Sequence, residues 1–172
     1  MCSSDLGSSP GTVSTEPDGF AFSAADVIAY YQSIGYVCAA PRASSAAAGY
    51  SVTACQLTDG ARRIRVVGLV TTAAGALGNG YAAVFGAPGE AYLDPDSAIE
   101  PLAAFLGTML GQVRGGDAAV WLREHLGAAY EKTSSGSLTV ATYTGPGDDP
   151  SRLYVELADA TYLKTPSPAP SR

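Results

Sequence analysis

Two hydrophobic spacings alternate along this chain. Ala24, Val27, Ile28, Tyr31 and Ile34 recur at three- and four-residue intervals, the spacing of one helix face. Ser23 precedes them with Asp26 three residues on, a capping box in its weaker Asp form, and Gly35 stands where a left-handed C-terminal residue is wanted. The pattern predicts a helix of about three turns. After Gly35 the period drops to two. Residues 36–40 predict a strand, and residues 50–57 a second, with Tyr50, Val52 and Ala54 on one side and Ser51, Thr53 and Cys55 on the other. Thr58-Asp59-Gly60-Ala61 is a hairpin signal. Residues 62–71 then predict a strand with Ile64, Val66, Gly68 and Val70 on one face and Arg63, Arg65, Val67 and Leu69 on the other. Gly75, Gly78 and Gly80 mark a loop before a strand over 81–85.

Helical spacing returns over 94–112, with Ile99, Leu102, Ala103, Leu106, Met109, Leu110 and Val113 in one stripe. Asp94 with Pro95, and Ser97 with Glu100, are alternative starts. Pro101 fits in or near a first turn, which favours the later start or a kink. Asp117 is expected to cap a third helix, with Trp121, Leu122 and Leu126 inward and Gly127 as its stop. Strands are expected over 129–133, 137–144 and 152–158; in the last, Leu153, Val155 and Leu157 alternate with Tyr154 and Glu156. These segregated elements give an α+β fold: an antiparallel sheet of about seven strands with three helices on one face. Residues 23–86 and 117–158 share the order of helix, glycine stop and strands. This reads as a tandem α-then-β unit or as a coincidence of pattern, because residue identity between the halves is minimal.

Composition narrows the class. A length of 172 residues fits one domain. With 47% apolar and 15% charged residues, the chain is not of disordered composition. A net charge of -6 with ten Lys and Arg residues lacks the electrostatic footprint of a nucleic-acid binder or of a basic membrane-surface helix. The longest apolar candidate, residues 102–113, carries Gly107 and Gly111 and falls short of the ~20 residues of a membrane span. Residues 1–6, MCSSDL, resemble the translated end of a common short-read sequencing adapter, with a genuine N-terminus as the alternative; on the adapter reading they are set aside and Cys2 leaves the cysteine count. On that reading the authentic start, with any signal peptide, lies upstream. Residues 7–18 form a Gly, Ser, Thr and Pro linker of the kind that follows the lipidated cysteine of bacterial lipoproteins, so a lipid anchor on the missing N-terminus is expected. Residues 164–172 form a Pro-rich tail, leaving 19–163 as the domain.

Little in the chain carries chemistry. Cys38 and Cys55 lie on strands expected to be neighbours, and a bridge between them implies an oxidising compartment; two free thiols in a cytoplasmic protein are the alternative. Two cysteines are too few ligands for a metal site. His125, the single histidine, borders the apolar stripe of its helix behind Trp121 and Leu122, as a structural histidine does. No serine sits in a nucleophile elbow, and Glu124 points to a different helix face. The run GALGNG over 75–80 lacks the lysine and the strand–helix setting of a phosphate loop, so it reads as a hairpin connection. Asp94, Asp96, Asp148 and Asp149 do not match a calcium-loop spacing and suit solvated turns. No catalytic residue, metal or cofactor is assigned.

The order GYVC (35–38), second cysteine, hairpin, paired helices and strands resembles uncharacterised extracytoplasmic domains in lipoproteins of high-GC bacteria. The tandem helix-then-sheet arrangement also resembles the β-lactamase-inhibitor-protein architecture, whose members bind partners on the open face of the sheet. Neither resemblance supplies a catalytic or inhibitory residue. Alternation puts Val52, Ile64, Val66, Leu138, Val140, Leu153 and Val155 against the helices. The opposite face then carries Arg63, Arg65, Val67, Leu69, Tyr143 and Tyr154, with the disulfide beside them. Tyr and Arg are enriched at binding hot spots, although aromatic cross-strand pairs also stabilise a sheet without a partner. The expected function is a non-enzymatic, secreted or membrane-anchored cell-envelope domain that binds a protein partner through Arg63, Arg65, Tyr143 and Tyr154. The rival is a small-ligand carrier or enzyme with a cleft near His125.

Overall fold

In the computed structural model of the chain, residues 18–58, 63–145 and 149–164 are described. Cys2, nearly all of the linker, most of the tail and most of the 58–61 hairpin signal lie outside them. The first helix begins where its cap predicts. Ser23 Oγ accepts from the Asp26 amide at 3.2 Å, and the Asp26 carboxylate accepts from the Ser23 amide at 3.2 Å, which opens α1 (Ala24–Ser33). Asp94 caps α2 (Pro95–Leu110) with Pro95 in its first turn, so the earlier of the two starts holds and Pro101 lies inside the helix. Gly111 (φ 85°) then breaks the chain direction, and α3 (Gln112–His125) follows at once. Asp117 therefore lies within α3 and is not its cap. The break also rotates Val113 out of the α2 stripe, leaving it exposed.

The sheet consists of β1 (Val37–Cys38), β2 (Arg42–Ala43), β3 (Tyr50–Gln56), β4 (Ile64–Thr72), β5 (Leu77–Phe85), β6 (Tyr130–Ser135), β7 (Leu138–Gly145) and β8 (Asp149–Asp159). All pairs are antiparallel, in the order β1-β3-β4-β5-β8-β7-β6, with β2 also on β3. Two meanders, β3-β4-β5 and β8-β7-β6, thus meet along β5 and β8. A short helix, α4 (Ala160–Lys164), follows β8. The fold is α+β, with eight strands and four helices among the described residues.

Helices α1, α2 and α3 cover one face of the sheet. Val67, Leu69, Ala82, Val84, Leu138, Val140, Leu153, Val155 and Leu157 meet Leu102, Phe105, Leu106, Met109, Leu110 and Leu122 in one core. Each such side chain contributes on the order of 1.5–3 kcal/mol by leaving water. Two glycines set the spacing of the layers. A β-carbon at Gly80 would lie 2.4 Å from Met109 Cε, so its absence lets α2 settle on β5. A β-carbon at Gly115 would lie 2.6 Å from the Gly107 Cα, so α2 and α3 touch backbone to backbone there.

Two expectations change in the sheet. The 75–80 run is mostly strand: the hairpin turn closes at Gly75, whose amide donates to the Thr72 carbonyl at 2.9 Å, and Gly78 and Gly80 belong to β5. In β4, pairing with β5 jumps from Ile64–Val84 to Val66–Ala83, leaving Arg65 as a bulged residue. The bulge keeps Ile64 on the helix side but flips everything after it. Val67 and Leu69 face the helices, while Val66, Gly68 and Val70 face away. Both registers of β4 are apolar, so alternation had no means to choose between them.

Candidate functional site

The face of the sheet away from α1–α3 carries cross-strand rows fixed by register. One row runs Val66, Ala83, Tyr154, Tyr143, Tyr130, and the next runs Gly68, Tyr81, Glu156, Ala141, Lys132. Tyr143 and Tyr154, both expected here, stack with ring centroids 5.1 Å apart and planes 5° apart. Tyr130 extends the stack, its centroid 6.4 Å from that of Tyr143. Tyr81 lies across β4, and this is possible because Gly68 has no side chain: a β-carbon there would lie 2.1 Å from Tyr81 Cε1 and Cζ. Tyr50 lies over Gly78 in the same way, 2.6 Å from where its β-carbon would be, and meets Tyr162 of α4 edge to face at 5.4 Å.

Four of these rings, Tyr81, Tyr143, Tyr154 and Tyr162, line a groove of about 380 Å³ together with Asn79 and Glu156. Arg42, Ser44, Ser45 and Ala46 form one wall. That wall is held in place locally. Ser44 Oγ accepts from the Ala46 and Ala47 amides at 3.2 and 3.1 Å, and the Ser44 amide donates to the Tyr50 carbonyl at 2.9 Å. Asn79, buried in β5, donates its Nδ2 to Glu156 Oε1.

Three of the groove's tyrosines, Tyr81, Tyr143 and Tyr162, are held above the ordinary tyrosine value. Burial pushes the Tyr143 hydroxyl up, and the Glu156 charge adds to that. Tyr162 is raised by burial and then by Glu156, and Tyr81 by burial and then by Tyr154, against the lowering influence of Arg42. A phenol held neutral above its ordinary value is no base near neutral pH. The arrangement supplies rings, hydroxyls and one carboxylate, which suit binding rather than proton transfer.

The four expected binding residues are only partly brought together. Tyr143 and Tyr154 share this face. Arg63 lies on the helix side, lining a groove with Tyr30, Tyr36 and Pro101, and Arg65 sits half-buried at the bulge. The expected neighbours Val67 and Leu69 are core residues. Cys38 and Cys55 are bonded and directly opposed on β1 and β3, with Cα atoms 3.9 Å apart. Cys55 is buried in the helix-side core, so the disulfide lies behind the tyrosine face rather than beside it. The alternation of β8 already put Glu156 with Tyr154; Tyr81, Asn79, Tyr162 and Arg42 became visible only through register, the Gly68 gap and the fold of 41–49.

The His125 ring meets Trp121 of its own helix. Its Nδ1–H donates to the Trp121 carbonyl at 2.8 Å, and its ring stacks on the indole at 4.8 Å. Among the described residues no group of three or more His, Cys, Asp or Glu could hold a metal, and no helix is long and apolar enough to cross a membrane. Asp149 accepts from Ser151 and pairs with Arg152 at 3.2 Å, and Asp94 serves as a helix cap. Comparison with protein-family models, with curated proteins and with solved structures returns no match for this chain.

Proposed function

We propose that this chain is a non-enzymatic, extracytoplasmic binding domain that meets its partner through the groove on the open sheet face. The observation that carries the reading is the groove itself: four tyrosines and a carboxylate held around about 380 Å³ on a face that α1–α3 leave uncovered. Rigid rings with polar tips offer contact area at small entropic loss. The Cys38–Cys55 bridge supports an oxidising, extracytoplasmic compartment. The resemblance to lipoprotein domains of the cell envelope, and to an architecture that binds through its open sheet, is part of the same proposal, as is an anchor upstream of the linker. The intrahelical contacts of His125 give the rival cleft reading no support.

The test is capture from a cell-envelope extract by the immobilised protein and by Tyr143→Ala/Tyr154→Ala. Retention by the parent protein that disappears in the variant, with the thermal midpoint little changed, is the expected result. Equal retention by both overturns the assignment to this face.

A further inference from the structure

Resting on the reading of the open face as a binding surface, we propose that its groove recognises a substituted ammonium group, held between the Glu156 carboxylate and the faces of the surrounding tyrosine rings. Glu156 is half-buried, and its hydrogen-bond partner, Asn79 Nδ2, is neutral. No Lys or Arg among the described residues forms an ion pair with it. The one cation lining the groove, Arg42, is exposed on the rim, where water screens it. A carboxylate withdrawn from water is disfavoured unless a positive charge meets it. A half-buried carboxylate with no buried cation beside it makes the groove complementary to a positive charge.

The rings make the same demand. An aromatic face is the negative end of a quadrupole and attracts a cation within about 6 Å of its centroid. Tyr143 covers one face of the Tyr154 ring; the neighbour on the other side in the row is Ala83, too small to cover the second face. Tyr81, spread over Gly68, stands directly across from Glu156 in the next row. Ring faces and carboxylate thus border one space. Its volume of about 380 Å³ lies at the small end of ligand pockets, which span roughly 300–1,000 Å³. That favours a compact headgroup over an extended chain. The Tyr81, Tyr143 and Tyr162 hydroxyls, raised by burial, offer hydrogen-bonding groups without competing charge.

Two sources offer this chemistry: a quaternary ammonium compound and the primary ammonium of a lysine side chain. Calorimetry with choline, with Nα-acetyl-lysine amide, and with 3,3-dimethylbutanol as the neutral isostere of choline separates them. The expected result is saturable binding of at least one cation, none of the neutral isostere, and a roughly ten-fold loss in Glu156→Gln. That variant keeps an acceptor for Asn79, and an unchanged thermal midpoint would show that it folds. A loss of similar size in Tyr154→Leu is expected on the same grounds. Whichever cation binds names the source. Failure of both cations to bind, or equal binding of the isostere, or binding indifferent to Glu156→Gln, overturns the proposal. If envelope capture still depends on Tyr143 and Tyr154 in that case, the binding face stands and only its cationic ligand falls.

Discussion

A β-carbon at Gly68 has nowhere to go while Tyr81 keeps its place, because it would lie 2.1 Å from two ring atoms. Gly68→Ala is therefore expected to displace the Tyr81 ring and destabilise the domain by about 1–3 kcal/mol, the usual range for overpacking. In a protein of this size that lowers the thermal midpoint by about 2–4 °C per kcal/mol. The same substitution in a Tyr81→Ala background should cost little. A double-mutant cycle reads the coupling, and the absence of coupling would show that the ring does not rest on Gly68. At this scale the sequence displayed a glycine inside an alternating strand, a known sign of close approach. Which side chain approaches is set by the register of β4 against β5, and that register is a property of the pair.

Helix α3 begins earlier than its composition suggests because Gly111 turns the chain and Gly115 then needs to reach α2. A β-carbon at Gly115 would meet the Gly107 Cα at 2.6 Å and the Leu106 carbonyl oxygen at 3.1 Å, and backbone cannot move aside. Gly115→Ala is expected to destabilise by about 1–3 kcal/mol. Gly116→Ala, one residue on, meets nothing within 4 Å and should stabilise by up to about 1 kcal/mol through helix propensity. Urea unfolding of the two variants tests the contrast, and equal effects would remove the α2–α3 contact from the account. The edge strand β1 has two residues, too few to hold by pairing alone, and the Cys38–Cys55 bond fastens it to β3. Replacing both cysteines by serine is expected to cost about 3 kcal/mol, the chain-entropy value for a loop of this length, read as a lower denaturation midpoint. A variant as stable as the parent would make the bridge dispensable. The pairing partner was legible because the two cysteines fall on successive strands. The side of the sheet they occupy was not, because it follows from burial of Cys55 under the helices.

Across the molecule, buried and half-buried tyrosines tie stability to alkaline pH. Tyr31, Tyr36, Tyr81, Tyr143 and Tyr162 are all raised above the ordinary tyrosine value, with burial as the first cause in each. For a group whose folded pKa lies above its unfolded value, the stabilisation is complete below the unfolded pKa. It is lost as pH rises from there toward the folded pKa. The thermal midpoint should therefore hold steady through neutral pH and fall steeply above about pH 10. The share of the tyrosinate absorbance that belongs to these five residues should rise together with unfolding rather than before it. Tyr31→Phe should flatten the alkaline fall; an unchanged slope would mean that Tyr31 ionises without unfolding. The two meanders meeting along β5 and β8 place this aromatic face at the centre of the sheet, where both halves contribute to it.

The chain by itself determined the helix periods, the capping box at Ser23, the stops at Gly35 and Gly127, the pairing of two cysteines and the α+β class. These rest on interactions between residues near in sequence, or on a strong composition at a fixed period. Alternation also placed Tyr154 and Glu156 opposite Leu153, Val155 and Leu157, because β8 is polar on one face alone. The tertiary structure decided the rest. Strand β4 reads as apolar on both faces, so the bulge at Arg65 and the helices above chose Val67 and Leu69 for the core, while Arg63, ahead of the strand, lines the helix-side groove. The groove needed Arg42 and Ser44 from a loop, Asn79 and Tyr81 from β5, Glu156 from β8 and Tyr162 from α4 to converge. No local preference encodes such a meeting, because it follows from the order in which strands far apart in sequence pair.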